Sequence, residues 1–298
     1  MTDVPPRDLA LLHEGILAWF DEAGRDLPWR RAETTPWGVF VSEVMSQQTP
    51  VARVAPAWEA WLARWPTPAE LAADAPGEAV RMWNRLGYPR RALRLHEAAC
   101  VMVERHAGEV PDDEAALLAL PGVGAYTAAA VAAFAHGRRA TVVDTNVRRV
   151  QARLVTGAAL PAPALTRAES RLATQLLPDD DADAARWNVA VMELGALVCT
   201  ARTPRCEECP VADRCVWRLA GSPVYEGPAR RSQSWEGTDR QIRGRILALL
   251  RQTRDPLTGD DLHAAWPLDD ARRERCLLGL LEDGLVEALD GERFTLPR

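Results

Sequence analysis

Four thiols fall close together near residue 200: Cys199, Cys206, Cys209 and Cys215, with six, two and five residues between them. Four soft thiolates on one compact loop suit a tetrahedral zinc ion or a cubane iron–sulfur cluster. Zinc sites pair short spacings across a longer gap, a pattern that six-two-five fits poorly. Either group would staple a loop too short to bury a core of its own. Arg202, Arg205 and Arg214 stand beside the thiols, as phosphate contacts or as ordinary solvated charge. Cys100 and Cys276 are isolated in apolar helical surroundings and read as packing residues. A second feature is Leu120-Pro121-Gly122-Val123-Gly124-Ala125-Tyr126. Its glycines permit a tight turn, and the free N–H groups at the start of the next helix can receive a phosphate. Leu120 and Val123 would anchor that hairpin, although a Pro-Gly-x-Gly turn also occurs in helical proteins of any function. Lysine chemistry is absent, because all 36 Lys and Arg residues are arginine. A Schiff-base mechanism, which needs an amine nucleophile, is therefore not expected.

The elements that must hold these groups are helical. The 298 residues are 47% hydrophobic and rich in alanine and leucine, which favour helix and allow a substantial core. No apolar run is long enough to span a bilayer; Ala128 to Phe134 comes nearest, and His136, Arg138 and Arg139 end it. The first residues are acidic and contain proline, without a secretory apolar segment, so a cytoplasmic protein is expected. Net charge is -6, unlike the basic balance of a general nucleic-acid binder. Basic residues nevertheless gather at Arg90, Arg91 and Arg94, at Arg138 and Arg139, and at Arg148, Arg149 and Arg153. That distribution suits either a polarised surface or solvated charge.

Apolar spacing predicts helices over Leu9 to Phe20 and Val39 to Gln48. A third carries Val54, Trp58, Trp61, Leu62 and Trp65 on one face, an aromatic stripe that reads as core. A helical pattern continues from Leu71 to Leu86, before the turn Gly87-Tyr88-Pro89, and resumes from Leu93 to His106. Asp112 can cap a short helix ending at Leu120. Further helices are expected from the Gly124 turn to Ala135, over Thr145 to Thr156, Leu165 to Leu176 and Ala185 to Val198. Glycines and prolines among polar residues mark 220–238 as a linker. Beyond it, three helical segments and two apolar runs flanking Asp290-Gly291 predict a small winged-helix-like α+β domain.

Taken together the motifs identify a resemblance. Val41-Ser42-Glu43-Val44-Met45-Ser46-Gln47-Gln48-Thr49, Leu86-Gly87-Tyr88, Leu120 to Tyr126, Val142-Val143-Asp144-Thr145-Asn146-Val147-Arg148-Arg149 and Met192-Glu193-Leu194-Gly195-Ala196 to Cys215 are similar to the adenine-specific mismatch glycosylases of the MutY family, within the endonuclease III superfamily. The resemblance covers residues 8 to 220 and is of the actinobacterial type, including the tail. It implies an all-α helix-hairpin-helix DNA glycosylase fold with a [4Fe-4S] cluster loop and the small C-terminal domain. Its parts would be an N-terminal helix in 1–29, a six-helix barrel domain in 30–146, a cluster domain in 147–219, the linker 220–238 and the winged-helix-like domain 239–298. A cleft between barrel and cluster domain would bind double-stranded DNA containing a mispaired adenine, and a monomer is expected.

The resemblance also implies roles. Glu43 matches the acid that protonates the adenine leaving group and handles the water. Asp144 matches the carboxylate that stabilises positive charge on the sugar, and Asn146 orients it. Tyr126 stands where strand-cleaving relatives carry their lysine. Gln48 matches a residue that enters the base stack, Tyr88 a wedge and Arg30 a residue near the adenine pocket. Leu120, Gly122, Val123 and Gly124 form the DNA-facing hairpin, and Cys199, Cys206, Cys209 and Cys215 ligate the cluster. The chemistry is consistent with this. Adenine leaves poorly as an anion, so a carboxylic acid kept protonated in a partly dry pocket lowers the barrier. A second, ionised carboxylate beside an oxocarbenium-like sugar completes the pair. Read alone, Glu43 is a solvated helix carboxylate and Asp144 an N-cap; the hairpin and the thiol cluster are what lift both readings.

Three departures from the family pattern stand out. Ser46 replaces a frequent hydrophobic residue, and Val189 stands where many relatives place a glutamate. The third is the tail, with only about 60 residues after the linker instead of a Nudix-like domain that recognises 8-oxoguanine. The expected activity is monofunctional excision of adenine opposite 8-oxoguanine or guanine. The alternatives are a mismatch thymine or uracil glycosylase and a non-enzymatic iron–sulfur DNA-binding or damage-sensing protein.

Overall fold

The computed structural model describes residues 6–227, 237–290 and 292–298. Part of the expected linker (228–236) and the glycine of the Asp290-Gly291 turn lie outside the described residues. The chain forms two compact units. The first comprises residues 1–39, 112–118 and 123–228; the second comprises 40–111, 119–122 and 229–298.

The first unit contains α1 (Pro6–Ala23) and the start of α2 (Pro36–Ser46), whose remainder belongs to the second unit. The second unit continues with α3 (Val51–Arg64), α4 (Pro68–Ala73), α5 (Pro76–Trp83) and α6 (Arg90–Arg105). Instead of one helix over Leu71 to Leu86, two form. Asp74 and Ala75 leave the helical region, at ψ 161° and 143°, and Pro76 opens the next helix, as Ala75 before a proline and a proline at the first turn require. The tryptophan stripe is core. Trp61 meets Trp65 and Trp83 edge to face, with ring centroids 4.6 and 5.8 Å apart.

Next in the first unit come α7 (Glu114–Leu118), α8 (Ala125–His136) and α9 (Thr145–Gln151). The α7 cap is Asp113, whose Oδ2 accepts from Ala116 N at 2.9 Å; Asp112 instead pairs with Arg138. After α9 the helix widens into one π turn over Ala152–Thr156, ended by Gly157 at φ 72°. Two more helices, α10 (Arg167–Gln175) and α11 (Asp181–Leu197), complete its frame, followed by the thiol loop and α12 (Val216–Leu219). The core of this unit joins Leu12 and Ile16 of α1, Val147 and Val150 of α9, and Trp187, Val191 and Leu194 of α11. Arg148, Arg149 and Arg153 do not form a basic face. All three are buried, and their guanidinium groups bond to Ala162, Cys199, Gly195 and Thr200 carbonyls at 2.5 to 2.8 Å.

The C-terminal residues belong to the second unit. They form α13 (Asp239–Gln252), β1 (Leu257–Thr258), α14 (Gly259–His263), α15 (Asp270–Glu282), β2 (Glu287–Leu289) and β3 (Arg293–Thr295). The sheet order is β1-β3-β2, antiparallel throughout, so the expected hairpin carries a third short strand that the sequence pattern did not announce. This domain is docked on α5. Gly77 N donates to Pro297 O at 2.8 Å, Arg81 Nη1 donates to Arg251 O and Thr253 O at 2.5 and 2.8 Å, and Arg251 Nε returns a bond to Val80 O at 2.9 Å. Gly77 is obligatory there, since a Cβ would run into Pro297 O.

Candidate active site and iron–sulfur segment

In the first unit Asp144 sits at the N-cap of α9, as its place before an apolar helix predicts. Its Oδ1 accepts from Val147 N and its Oδ2 from Asn146 Nδ2, both at 2.7 Å. Burial pushes the carboxyl up from its ordinary range, and those two donors, with Arg149, pull it back. Asn146 is fixed in turn, because its Oδ1 accepts from Arg149 Nη2 at 2.7 Å. Arg149 also reaches Gly195 O on α11 at 2.5 Å. Gly195 permits this closeness: a Cβ there would lie 2.6 Å from Asn146 Cβ. The result is a half-buried carboxylate held by hydrogen bonds from Asn146 and Val147, with the Arg149 charge behind Asn146. Asn188 closes the strand of chain before it, giving Nδ2 to Ala140 O at 2.8 Å and accepting from Val142 N at 3.3 Å.

Glu193, on α11, went unassigned in the sequence and is a carboxylate held by two arginines. It is 1% exposed and bridges Arg25 (2.5 and 2.9 Å) and Arg30 (2.8 Å). Burial opposes its ionisation, but the two arginines outweigh it and hold the carboxyl at about 2. Arg30, expected near a base pocket, is thus engaged with Glu193, and its guanidinium lies over the Phe20 ring at 5.6 Å. Only the distance in sequence between residues 25–30 and 193 concealed this pairing. Tyr126, on the first turn of α8, is half-buried against Ala129, Ala130, Ala133 and Val142.

The second unit holds Glu43, Gln48 and Tyr88. Glu43 lies in α2 and is 8% exposed, which excludes a solvated surface carboxylate. Gln48 and Tyr88 are both exposed and both adopt left-handed backbone, at φ 53° and 47°. Non-glycine residues held there carry strain that surrounding contacts must balance. Thr49 Oγ1, donating to Gln47 O and Leu86 O, and Trp83 Nε1, donating to Gly87 O, supply some of those contacts, and Arg91 supplies more. Arg91 donates through Nη1 to Val44 O, Met45 O and Gln47 O at 2.8, 3.1 and 2.7 Å, and through Nη2 to Thr49 Oγ1 and Gly87 O at 3.0 and 3.1 Å. It therefore caps the C-terminal carbonyls of α2 and ties the Gln48 turn to the Tyr88 turn. Burial lowers its pKa to about 10, so it remains charged at neutral pH. In the hairpin, Leu120 is buried, Gly122 is left-handed at φ 79°, and Gly124 is the N-cap of α8. A Cβ on Gly122 would lie 2.7 Å from Arg94 Cβ, so glycine is needed for space as well as for backbone conformation.

The four cysteines form no disulfide. Cys199, Cys209 and Cys215 pack against the core of the first unit, and burial pushes the Cys209 thiol up to about 11, with the other three thiols adding to the shift. Arg153 Nη1 donates to Cys199 Sγ at 3.4 Å, and Cys215 Sγ donates to Arg153 O at 3.4 Å. Four partly buried thiols without disulfide partners, on one short loop beside a guanidinium, are the donor set of an anionic tetrathiolate group. Among the described residues no three His, Cys, Asp or Glu side chains are gathered tightly enough to hold a single ion. The donor set alone therefore does not name the group.

Comparison with known proteins supplies the rest. Residues 41–175 match the model of the HhH-GPD superfamily base excision DNA repair proteins, and residues 199–215 match the iron–sulfur binding domain of endonuclease III. The thiol loop is thus an iron–sulfur segment. The chain is 52% identical over 283 residues to the adenine DNA glycosylase of Mycobacterium tuberculosis, covering 95% of this chain and 92% of that protein. It is equally 52% identical over 281 residues to the adenine DNA glycosylase of Mycolicibacterium smegmatis, covering 94% of each. Among solved structures, a thermostable thymine-DNA glycosylase is similar, with a TM-score of 0.64, 28% identity and coverage of 72% of this chain and 98% of that one. Identity at that level, sustained through the C-terminal domain, leaves one assignment: the chain belongs to the adenine DNA glycosylase family within the HhH-GPD superfamily.

Proposed function

We propose that this chain is a monofunctional DNA glycosylase that hydrolyses the N-glycosidic bond of adenine mispaired with 8-oxoguanine or guanine, acting as a monomer on duplex DNA. The observation that carries the reading is the 52% identity to mycobacterial adenine DNA glycosylases along 95% of the chain. The half-buried Asp144, held by Asn146 and Val147, and the buried Glu43 supply chemistry that suits it. In this reading the barrel domain spans 30–146 and the cluster domain 147–219.

The extruded adenine takes a proton from Glu43 at a ring nitrogen, and the electron pair of the C1′–N bond passes to the base. The sugar is left oxocarbenium-like, and the ionised Asp144 lowers its energy. Water then adds at C1′ and returns a proton to Glu43, so the products are free adenine and an intact strand with an abasic deoxyribose. Asn146 and Val147 N–H keep the Asp144 lone pairs aimed and its charge in place. Tyr126 occupies the position of a strand-cleaving lysine, and with no lysine anywhere in the chain no Schiff base forms. Leu120, Gly122, Val123 and Gly124 present the hairpin to a phosphate, while Gln48 and Tyr88 enter the stack. A [4Fe-4S] cluster on Cys199, Cys206, Cys209 and Cys215 would act as a scaffold for the loop.

The test is a product assay on duplexes carrying A:8-oxoG, A:G, T:G or U:G. Free adenine with an uncut strand is expected from the first two. Release of thymine or uracil without adenine would sink the proposal in favour of a pyrimidine mismatch glycosylase. Binding with every base left attached would make the chain a DNA-binding protein only.

A further inference from the structure

The second unit contains a groove of about 1220 Å³ that the catalytic roles do not explain. Its walls are α13, the turn between α5 and α6, and the first turns of α3 and α6. Eight arginines line it, and the described lining residues include no carboxylate. In a chain with 42 acidic and 36 basic residues, that concentration runs against the overall balance.

The arginines divide by what they do. Arg81 and Arg251 are partly buried and fasten the C-terminal domain to α5 through carbonyl oxygens. Arg81 is also paired with Glu78 at 3.0 Å. Burial, with Arg81 alongside, lowers the pKa of Arg251 to about 10, so Arg251 still carries its charge at the base of the groove at neutral pH. Arg90 and Arg243 share Asp283. Arg53, Arg85, Arg240 and Arg245 are exposed along the rim. They come from α3, the α5–α6 turn and α13, so several separate elements offer a cation, as suits a polyanion with successive phosphates better than a single phosphate. Gly244 and Ala248, one helical turn apart on α13, leave the floor without long side chains.

Two further observations place this groove beside the wedge residues. Gln48 and Tyr88 are themselves among its lining residues, and Arg240 of the C-terminal domain lies over the Tyr88 ring at 5.7 Å. Arg91 lies over the same ring at 5.6 Å. Of the six non-glycine residues with positive φ among those described, Gln48, Asn84 and Tyr88 all border the groove. Strain accumulates at surfaces that bind.

We propose that the groove between α13 and the α5–α6 turn carries the sugar–phosphate backbone of a DNA duplex alongside Gln48 and Tyr88, so that the C-terminal domain is part of the DNA-binding surface. This rests on the chain being a DNA-binding glycosylase but not on which base is removed.

The test is the salt dependence of binding to a fluorescently labelled 25-base-pair duplex with no mismatch, using the full chain. Each phosphate deprived of its arginine should lower the slope of log K against log salt by about 0.9. R240A/R245A is therefore expected to lower it by about 1.8, and R240K/R245K to keep the wild-type slope. R53A/R85A, on the opposite wall, should lower it similarly and guards against misfolding of α13. Wild-type slopes in both alanine pairs would overturn the proposal, as would failure of the lysine pair to retain the slope, since Arg245 also stacks on Trp266 at 5.0 Å and would then be a packing residue. Because the duplex is undamaged, absence of adenine release in the product assay leaves this result unaffected.

Discussion

Asn146 donates to Asp144 Oδ2 at 2.7 Å while its own carbonyl accepts from Arg149, so the amide cannot turn away from the carboxylate. The hydrogen bond favours the ionised form of a group that burial pushes the other way. N146A removes that donor and should raise the Asp144 pKa further. If Asp144 must be ionised to support the sugar, activity falls as pH drops through that pKa, and the acid limb of the single-turnover excision rate moves to higher pH in N146A. G195A should do the same by displacing Asn146, whose Cβ it would meet at 2.6 Å. An unmoved acid limb in both variants would remove Asn146 from the assignment.

Replacing Asp144 with asparagine separates stability from activity. A carboxyl whose folded pKa is raised loses stability as pH rises from its unfolded value through its folded one. D144N keeps an oxygen for the Val147 N–H and sheds a charge that burial disfavours but sets an NH2 group against the Asn146 donor, so the two effects offset and its Tm at pH 7 should stay within a few degrees of the parent's. Its excision rate should fall about 10²–10³-fold, the scale of losing one preorganised electrostatic contact. A lower Tm with an unchanged rate would make Asp144 a helix cap and nothing more.

E43Q removes the only proton that the leaving base can take from this side chain. A loss of about 10²–10⁴ in single-turnover rate is expected, with duplex affinity retained. Near-parental excision by E43Q would refute the acid assignment.

The Glu193 carboxyl, held at about 2, contributes stability that is present above its unfolded value near 4.5 and is lost as pH falls toward 2. E193A strands two arginines and should cost about 3 kcal/mol at pH 7, the low end for a broken buried pair because Arg25 and Arg30 keep some water contact. Urea melts at pH 7 and pH 3 measure this: the gap between parent and variant should narrow at the lower pH. A gap that stays constant would show that packing, not charge, is what Glu193 provides.

Arg91 makes five hydrogen bonds to the Gln48 and Tyr88 turns, and an ammonium cannot span them. R91K should therefore behave like R91A, with weaker mismatch-over-matched discrimination and a Tm lowered by a few degrees. Full rescue by lysine in competition binding would show that charge alone matters there.

Much of the local structure around the candidate site was legible. A helix cap, a Pro-Gly-x-Gly turn and four closely spaced thiols are short-range patterns, and Asp144, Gly122, Gly124 and the cysteines sit where those patterns put them. Helix boundaries went wrong where one residue decides, as at Pro76 and at Asp113 in place of Asp112. What no local pattern can announce is pairing across the chain. That Arg148, Arg149 and Arg153 are internal struts, that Glu193 waits for Arg25 and Arg30, and that Arg91 joins two strained turns all depend on partners as far as 168 residues away. Long-range partners of a charged side chain are chosen by packing, because only a folded core removes water from a guanidinium and makes a particular carbonyl its best alternative. The arginine-lined groove has the same origin. Its residues come from segments at least 150 positions apart in the sequence, and docking of the C-terminal residues on α5 assembles them in an otherwise acidic protein.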